Sequence, residues 1–399
     1  FMRDVLTMTV QGKQESEFVM RFQQFTGPVM AKGVEDTAFY CFNRLTGMNE
    51  VGSDPGRNGL SVAEFHAYCA KMQATHPATL TTLSTHDTKR SDDVRARMAV
   101  LSEIPGRFGS AVQRWSRMNS AFRTVKRGAA AMPDRNTEYL YYQTLIGAWP
   151  LPMDRAQAYM LKAVREAKQQ TSWVANNREF EEALRMFIEL TLNYAPFLRE
   201  LQQFVGRVQD AGRVNSLTQT LLKCTAPGVP DLYQGGELWD LSLVDPDNRR
   251  PVDYALRKRL LCELKHMSVQ DAATQVMLRA DEGLPKMWTI HKALELRRER
   301  PECFGADAEY TPLEVDGDKH DHVIAYLRGE DVVTVAPRLT LKLGGAWKDT
   351  IVVLPKGKWR NRLTGGSVEG GVITMKLLLK DFPAALFVRE GVRADENDA

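Results

Sequence analysis

Leu83-Ser84-Thr85-His86-Asp87-Thr88-Lys89-Arg90 is the stretch of this chain best equipped for chemistry. It follows an extended, Thr-rich apolar run from Ala78 to Leu83. It precedes a helix expected to be capped by Ser91, with Asp92 and Asp93 in its first turn. A strand that ends in a polar cluster and leads into a helix is the place where parallel α/β folds keep their reactive groups. A His and an Asp side by side there can grip neighbouring hydroxyls of a sugar. Lys89 and Arg90 can keep the Asp ionised. The competing reading is a capped loop whose charges pair with one another.

The elements that must position this cluster differ along the chain. Residues 1 to about 95 mix helix and strand signals, with Phe18, Val19, Phe22 and Phe25 at helical spacing. Gly27 to Thr37 is glycine-punctuated, apolar and charged at once, which predicts a strand and an active-site loop. Ser61 and Glu64 form a capping-box pattern for a helix running to about Gln73. From about 96 to 224 the chain reads as almost continuous helix, a subdomain expected to be inserted between two barrel strands. Its aromatics Tyr139, Tyr142, Trp149 and Phe187 are spaced for core filling rather than for sugar stacking. At Ala226 a short buried strand, a glycine turn and an acid begin, followed by a charged loop from Asp245 to Asp253. After Pro301 the period switches to two. Five short apolar strands between glycine turns predict an antiparallel sandwich. Residues Arg393 to Ala399 read as a polar tail.

The chain has 399 residues, of which 43% are apolar, enough for two or three domains. Net charge is +3 with acids and bases interleaved, so neither nucleic acid nor a membrane surface is an expected partner. Five dispersed cysteines (Cys41, Cys69, Cys224, Cys262, Cys303) point to reduced thiols in a cytoplasmic protein, not to disulfides or zinc. No metal and no cofactor are expected. His66, His76 and His86 meet no ligand spacing, and His320-Asp321-His322 reads as turn chemistry. No apolar run approaches the roughly 20 residues of a membrane span. Phe1 before Met2 is expected of a chain that begins inside a longer protein.

Three ordered segments resemble the maltooligosyl trehalose synthases of the α-amylase superfamily (glycoside hydrolase family 13). They are Gly27 to Tyr40, Leu83 to Arg90 and Asp240 to Arg250, supported by Gly228-Val229-Pro230-Asp231-Leu232-Tyr233-Gln234-Gly235-Gly236-Glu237. The resemblance implies an α/β plus all-β chain. It would comprise the C-terminal part of a (β/α)8 barrel with a large inserted helical subdomain, followed by an antiparallel β-sandwich. The expected divisions are 1–95 (partial barrel), 96–224 (helical subdomain), 225–300 (last barrel strand and helices) and 301–399 (sandwich).

The resemblance also implies the reaction. The reducing-end α-1,4 bond of a maltooligosaccharide becomes an α,α-1,1 bond by intramolecular transglycosylation, with retention through a covalent glucosyl-enzyme. Asp87 matches the third carboxylate, which favours the oxocarbenium-like state, and His86 would donate to a hydroxyl of the same ring. Lys32, Glu35, Lys89 and Arg90 are candidates for holding the reducing-end glucose, although Lys32 could equally form an ion pair with Glu35 or Asp36. Gly228, Pro230, Gly235 and Glu237 are expected to be structural.

One departure stands out. The family's nucleophile lies in an Arg-x-Asp strand motif and its general acid is a Glu on the next strand. Both should precede Lys32, yet nothing in residues 1 to 31 fits either. The chain is therefore expected to be inactive alone. An incomplete barrel would leave open strand edges and an uncovered apolar face, which predicts partial disorder or pairing with another copy. Two alternatives remain: a related α-1,4-glucan hydrolase or transferase, and a non-catalytic glucan-binding protein.

Overall fold

Leu80–Thr81 (β1) and Val229–Pro230 (β2) pair in parallel, with Leu80 opposite Val229 and Thr81 opposite Pro230. Gly228 permits the pairing. Its φ is +122°, and a Cβ there would lie 2.6 Å from Thr81 Cγ2 and 2.8 Å from the Thr79 carbonyl oxygen. Pro230 has no N–H, so the ladder uses its neighbours: Val229 and Asp231 donate to the Thr79 and Thr81 carbonyls, each at 2.8 Å. The strand expected over Ala78 to Leu83 is thus only two residues long. Among the described residues neither strand has another neighbour to extend it.

The computed structural model describes residues 1–391 apart from Asn58 and Ala129. The polar tail expected at Arg393 to Ala399 lies outside the described residues. The chain divides into two compact units. One contains Phe1–Asp54, Ala111–Leu145 and Pro150–Glu200; the other contains Pro55–Ser110, Ile146–Trp149 and the chain from Leu201 onward.

The first unit is helical. Its core includes Trp115, Tyr141, Tyr142, Phe187 and Phe197, all without solvent exposure. Trp115 meets Tyr142 and Phe197 edge-on at ring separations of 5.5 and 6.0 Å. Tyr142 and Phe187 are thus core residues as their spacing predicts, while Tyr139 and Trp149 are half-buried.

The strand and loop expected over Gly27 to Thr37 do not form. Helix Lys13–Val29 passes directly into a π-helix, Met30–Ala38. Pro28 lies inside the helix and has no N–H to donate, which loosens the ordinary ladder just before the wider pitch begins. Helical spacing then pairs Lys32 with Asp36 at 2.5 Å, and Thr37 Oγ1 donates to the Lys32 carbonyl. Phe18, Met20, Phe22 and Phe25 on helix Lys13–Val29 are exposed.

The second unit holds β1, β2 and the C-terminal sheet. Helix Val62–Thr75 carries the expected capping box, Glu64 N–H to Ser61 Oγ at 3.2 Å and Ser61 N–H to Glu64 Oε2 at 2.8 Å. The sheet comprises β3 (Tyr310–Pro312), β4 (Val315–Asp316), β5 (Val323–Arg328), β6 (Val332–Pro337), β7 (Ile351–Asn361), β8 (Ser367–Thr374) and β9 (Ala385–Arg389). The order is β3-β5-β6-β9-β7-β4, with β8 also on β7, and every pairing is antiparallel. The expected two-sheet sandwich is therefore one curled sheet.

A bulge between Leu354 and Lys358 makes the bend. Before it Val352 and Leu354 point inward; after it Trp359 and Asn361 do, so the inward parity switches from even to odd. Val323, Val333, Val335, Val352, Trp359 and Phe387 share the enclosed core. β5 and β6 are buried on both faces because helices cover the other side, where Cys69 meets Tyr326 and Trp288 meets Val332 in shared clusters. Among the described residues no helix is long and apolar enough to cross a membrane.

Candidate functional site

The loop after β1 exposes His86 and Asp87 and buries Thr88, Lys89 and Arg90. Its turn is closed from within. Thr88 Oγ1 donates to the Thr85 carbonyl at 2.9 Å, and the Asp87 N–H donates to Thr85 Oγ1 at 3.2 Å. Asn248, from the loop after β2, holds it from outside. Its Nδ2 donates to the His86 carbonyl at 3.0 Å, and its own carbonyl accepts from Tyr233 Oη at 3.2 Å. Asn248 is 8% exposed, so these contacts are shielded from water. Arg90 also bridges Leu243, and the Ser91 N–H donates to the Ser242 carbonyl at 3.0 Å. The loops following the two parallel strands are thus sewn together, with His86 and Asp87 left facing solvent.

Ser91 does not cap the next helix with its side chain; its hydroxyl donates instead to the Asp240 carbonyl. Asp92 and Asp93 are likewise not solvated helix-start charges. Both are buried around Lys286, itself 1% exposed, whose Nζ lies 3.0 Å from Asp92 and 2.8 Å from Asp93. Asp93 also accepts from the Asp240 N–H at 2.6 Å, and Ser84 Oγ donates to Asp92 at 3.2 Å. Burial works to raise Asp92, but the Lys286 ammonium outweighs it and holds the carboxyl below its ordinary range. At Asp93 burial prevails over the same ammonium and, with the Asp92 charge beside it, pushes the carboxyl up to about 6. Sequence reasoning misses this cluster, because Lys286 lies 193 residues beyond Asp93. The one available signal is a lysine inside the apolar run Leu284-Pro285-Lys286-Met287-Trp288.

The charged loop from Asp240 to Asp253 satisfies itself. Asp247 accepts from the Leu243 N–H at 2.7 Å and pairs with Arg250 at 3.1 Å, and Asp253 caps helix Tyr254–Lys265. Glu237 pairs with Arg257 at 2.9 Å, and Arg257 also reaches the Gly235 carbonyl. The structure therefore gathers His86, Asp87, Lys89 and Arg90 into one loop. Lys32 and Glu35 lie in the helical unit, where Lys32 pairs with Asp36 and Glu35 accepts from the Gly52 N–H at 3.1 Å.

Glu302, Cys303 and Asp331 bring potential metal-ligand atoms within 4.8 Å of one another. Asp331 is already paired with Arg389 at 3.1 Å, and burial pushes the Cys303 thiol up to about 11. That donor set holds a proton and an ion pair where a cation would need free anions.

No family model matches the chain. A Mycobacterium tuberculosis (strain H37Rv) protein named as a maltooligosyl trehalose synthase is 39% identical over 382 residues, 94% of this chain and 46% of that protein. The structure of maltooligosyltrehalose synthase from Arthrobacter ramosus superposes with a TM-score of 0.80 at 40% identity, covering 92% of this chain and 46% of that one. The Sulfolobus tokodaii protein given the same name superposes with a TM-score of 0.77 at 28% identity, over 97% of this chain and 50% of that one. The chain spans about half the length of these relatives. It is by sequence and by structure that this chain belongs to the maltooligosyl trehalose synthase family.

Proposed function

We propose that this chain supplies part of the active site of an enzyme that converts the reducing-end α-1,4 bond of a maltooligosaccharide into an α,α-1,1 bond. The reaction is an intramolecular transglycosylation, an isomerase activity within glycoside hydrolase family 13. The observation that carries the reading is the exposed His86–Asp87 pair at the carboxyl end of a parallel strand, fixed by Asn248 in a chain of this family. Asp87 stabilises the oxocarbenium-like state and His86 donates to a hydroxyl of the same sugar. Lys89 and Arg90, buried in the same loop, supply positive charge near the reducing-end glucose. Lys32 and Glu35 serve the reducing-end glucose, Lys32 by exchanging Asp36 for a sugar hydroxyl. The nucleophile and general acid belong to the part of the relatives that this chain does not match, so the chain alone is inert. All five thiols are unpaired, which supports a cytoplasmic location.

The test follows reducing ends and free glucose from maltopentaose. The chain alone is expected to change neither. Mixed with the part of the Arthrobacter ramosus enzyme that it does not match, it should lower reducing ends without releasing glucose, and Asp87→Asn should abolish that loss. A rise in reducing ends would make the protein a hydrolase instead. Full activity of the chain alone would refute the partial-site reading.

A further inference from the structure

Trp173 stands apart from the other tryptophans. The residue is 54% exposed, whereas Trp115, Trp288, Trp347 and Trp359 are buried and Trp149 and Trp239 are half-buried. Exposure of this kind ordinarily goes with a mobile side chain, yet Trp173 is held on two sides. Its Nε1–H donates to Glu166 Oε1 at 3.0 Å. The Arg165 guanidinium lies over the ring, 4.8 Å from its centroid.

Arg165 is itself immobilised. It makes two parallel bonds to Glu181, at 2.8 and 2.6 Å, and Thr171 Oγ1 donates to the same carboxylate at 2.8 Å. The short loop carrying the ring is closed by Ala175 N–H to Ser172 Oγ at 2.9 Å and Asn177 N–H to Thr171 Oγ1 at 2.9 Å. Asn177 then caps helix Arg178–Leu192. The fold therefore fixes an indole against a cation while leaving just over half of the residue's surface open to solvent. Exposed Asn176 and half-buried Glu166 flank it with hydrogen-bonding groups.

A rigid, half-wet aromatic face bordered by polar groups suits a pyranose ring. The axial C–H bonds of the sugar meet the π-face while its equatorial hydroxyls reach the polar rim. Ordering is paid for before binding, so little entropy is lost when the sugar stacks. We infer that Trp173 is a stacking platform for a glucose ring of an α-1,4-glucan, in the helical unit. The choice of ligand rests on the proposed reaction; the platform rests on the contacts of Arg165, Glu166 and Glu181.

Maltoheptaose is the probe, with calorimetry for affinity and acrylamide quenching for the exposed indole. The expected result is protection of the indole by maltoheptaose. Trp173→Ala should weaken affinity about ten-fold without moving the unfolding midpoint, and Trp173→Phe should keep most of the affinity because it retains a ring. Equal affinity of wild type and Trp173→Ala, with loss in Asp87→Asn, overturns the platform and leaves the proposed reaction standing. No binding by the wild type overturns the platform, and the proposed reaction is then decided by the reducing-end assay alone. Protection of the indole by raising protein concentration alone also overturns the inference, because the occupant is then a second copy.

Discussion

At the scale of single residues, three buried charges do more to shape the candidate site than the two exposed groups within it. Lys286 cannot fully neutralise two carboxylates in a dry setting, so Asp92 and Asp93 respond in opposite directions. Asp93 is raised to about 6 from an ordinary 3.8, so the folded state binds its proton more tightly than the unfolded state does. Its effect on stability is therefore best below pH 4, declines as pH rises to about 6, and is level above that. Asp92 has the opposite sign: its depressed carboxyl adds stability above the ordinary carboxylate range and loses it as pH falls through the folded value. Asp93→Asn should remove the first limb. The difference in unfolding free energy between wild type and variant should change by about 2 kcal/mol between pH 4 and 6, favouring the wild type at the acid end. Urea unfolding at several pH values checks this, and parallel curves would sink it.

Among elements, helix Asp92–Ala99 is the one whose placement fixes the site, and glycines set how closely its neighbours come. A Cβ at Gly212 would lie 2.9 Å from Arg97 Cα, and one at Gly147 would lie 2.8 Å from Met98 Cγ. The first clash is with backbone and cannot be relieved by a rotamer. Gly212→Ala should therefore destabilise the fold by about 1–3 kcal/mol despite the gain in helix propensity, as read by the denaturation midpoint. Gly206, in the same helix Ala195–Thr225, has open space around it, and Gly206→Ala is the matched control. Local chemistry of this kind is what a sequence displays. The Ser61–Glu64 box, the helical aromatics and the strand-end His86–Asp87 pair all rest on neighbours a few positions away. Gly27 to Thr37 misleads because the same residues satisfy an i,i+4 ion pair and a glycine-broken strand equally well. The fold of the sheet was hidden for a different reason: a bulge that reverses parity at Leu354 to Lys358 breaks the period-two pattern inside a single strand.

At the scale of the whole molecule, the parallel pair β1–β2 has open outer edges among the described residues, which isolated parallel strands do not tolerate well. The two edges are not equivalent. On β2, Pro230 has no N–H, and the Gly228 carbonyl is taken by Arg297 at 2.8 Å. On β1, Leu80 is 75% exposed. We propose that copies of the chain associate through the β1 edge when nothing else covers it. Sedimentation equilibrium should show mass rising with concentration, and Leu80→Lys should suppress the rise by placing a charge on the edge. A strictly monomeric wild type would refute the proposal.

The Lys286 cluster also sets a schedule for synthesis. Its two carboxylates are made 194 and 193 residues before the ammonium that joins them. At ribosomal rates of about 5–20 residues per second, the interval is on the order of ten to forty seconds. Throughout it the nascent chain carries Asp92 and Asp93 without the ammonium they share. Premature release of the polypeptide between residues 248 and 286 would leave a product in which the turn and its Asn248 tie are present while the two acids of the following helix lack their cation.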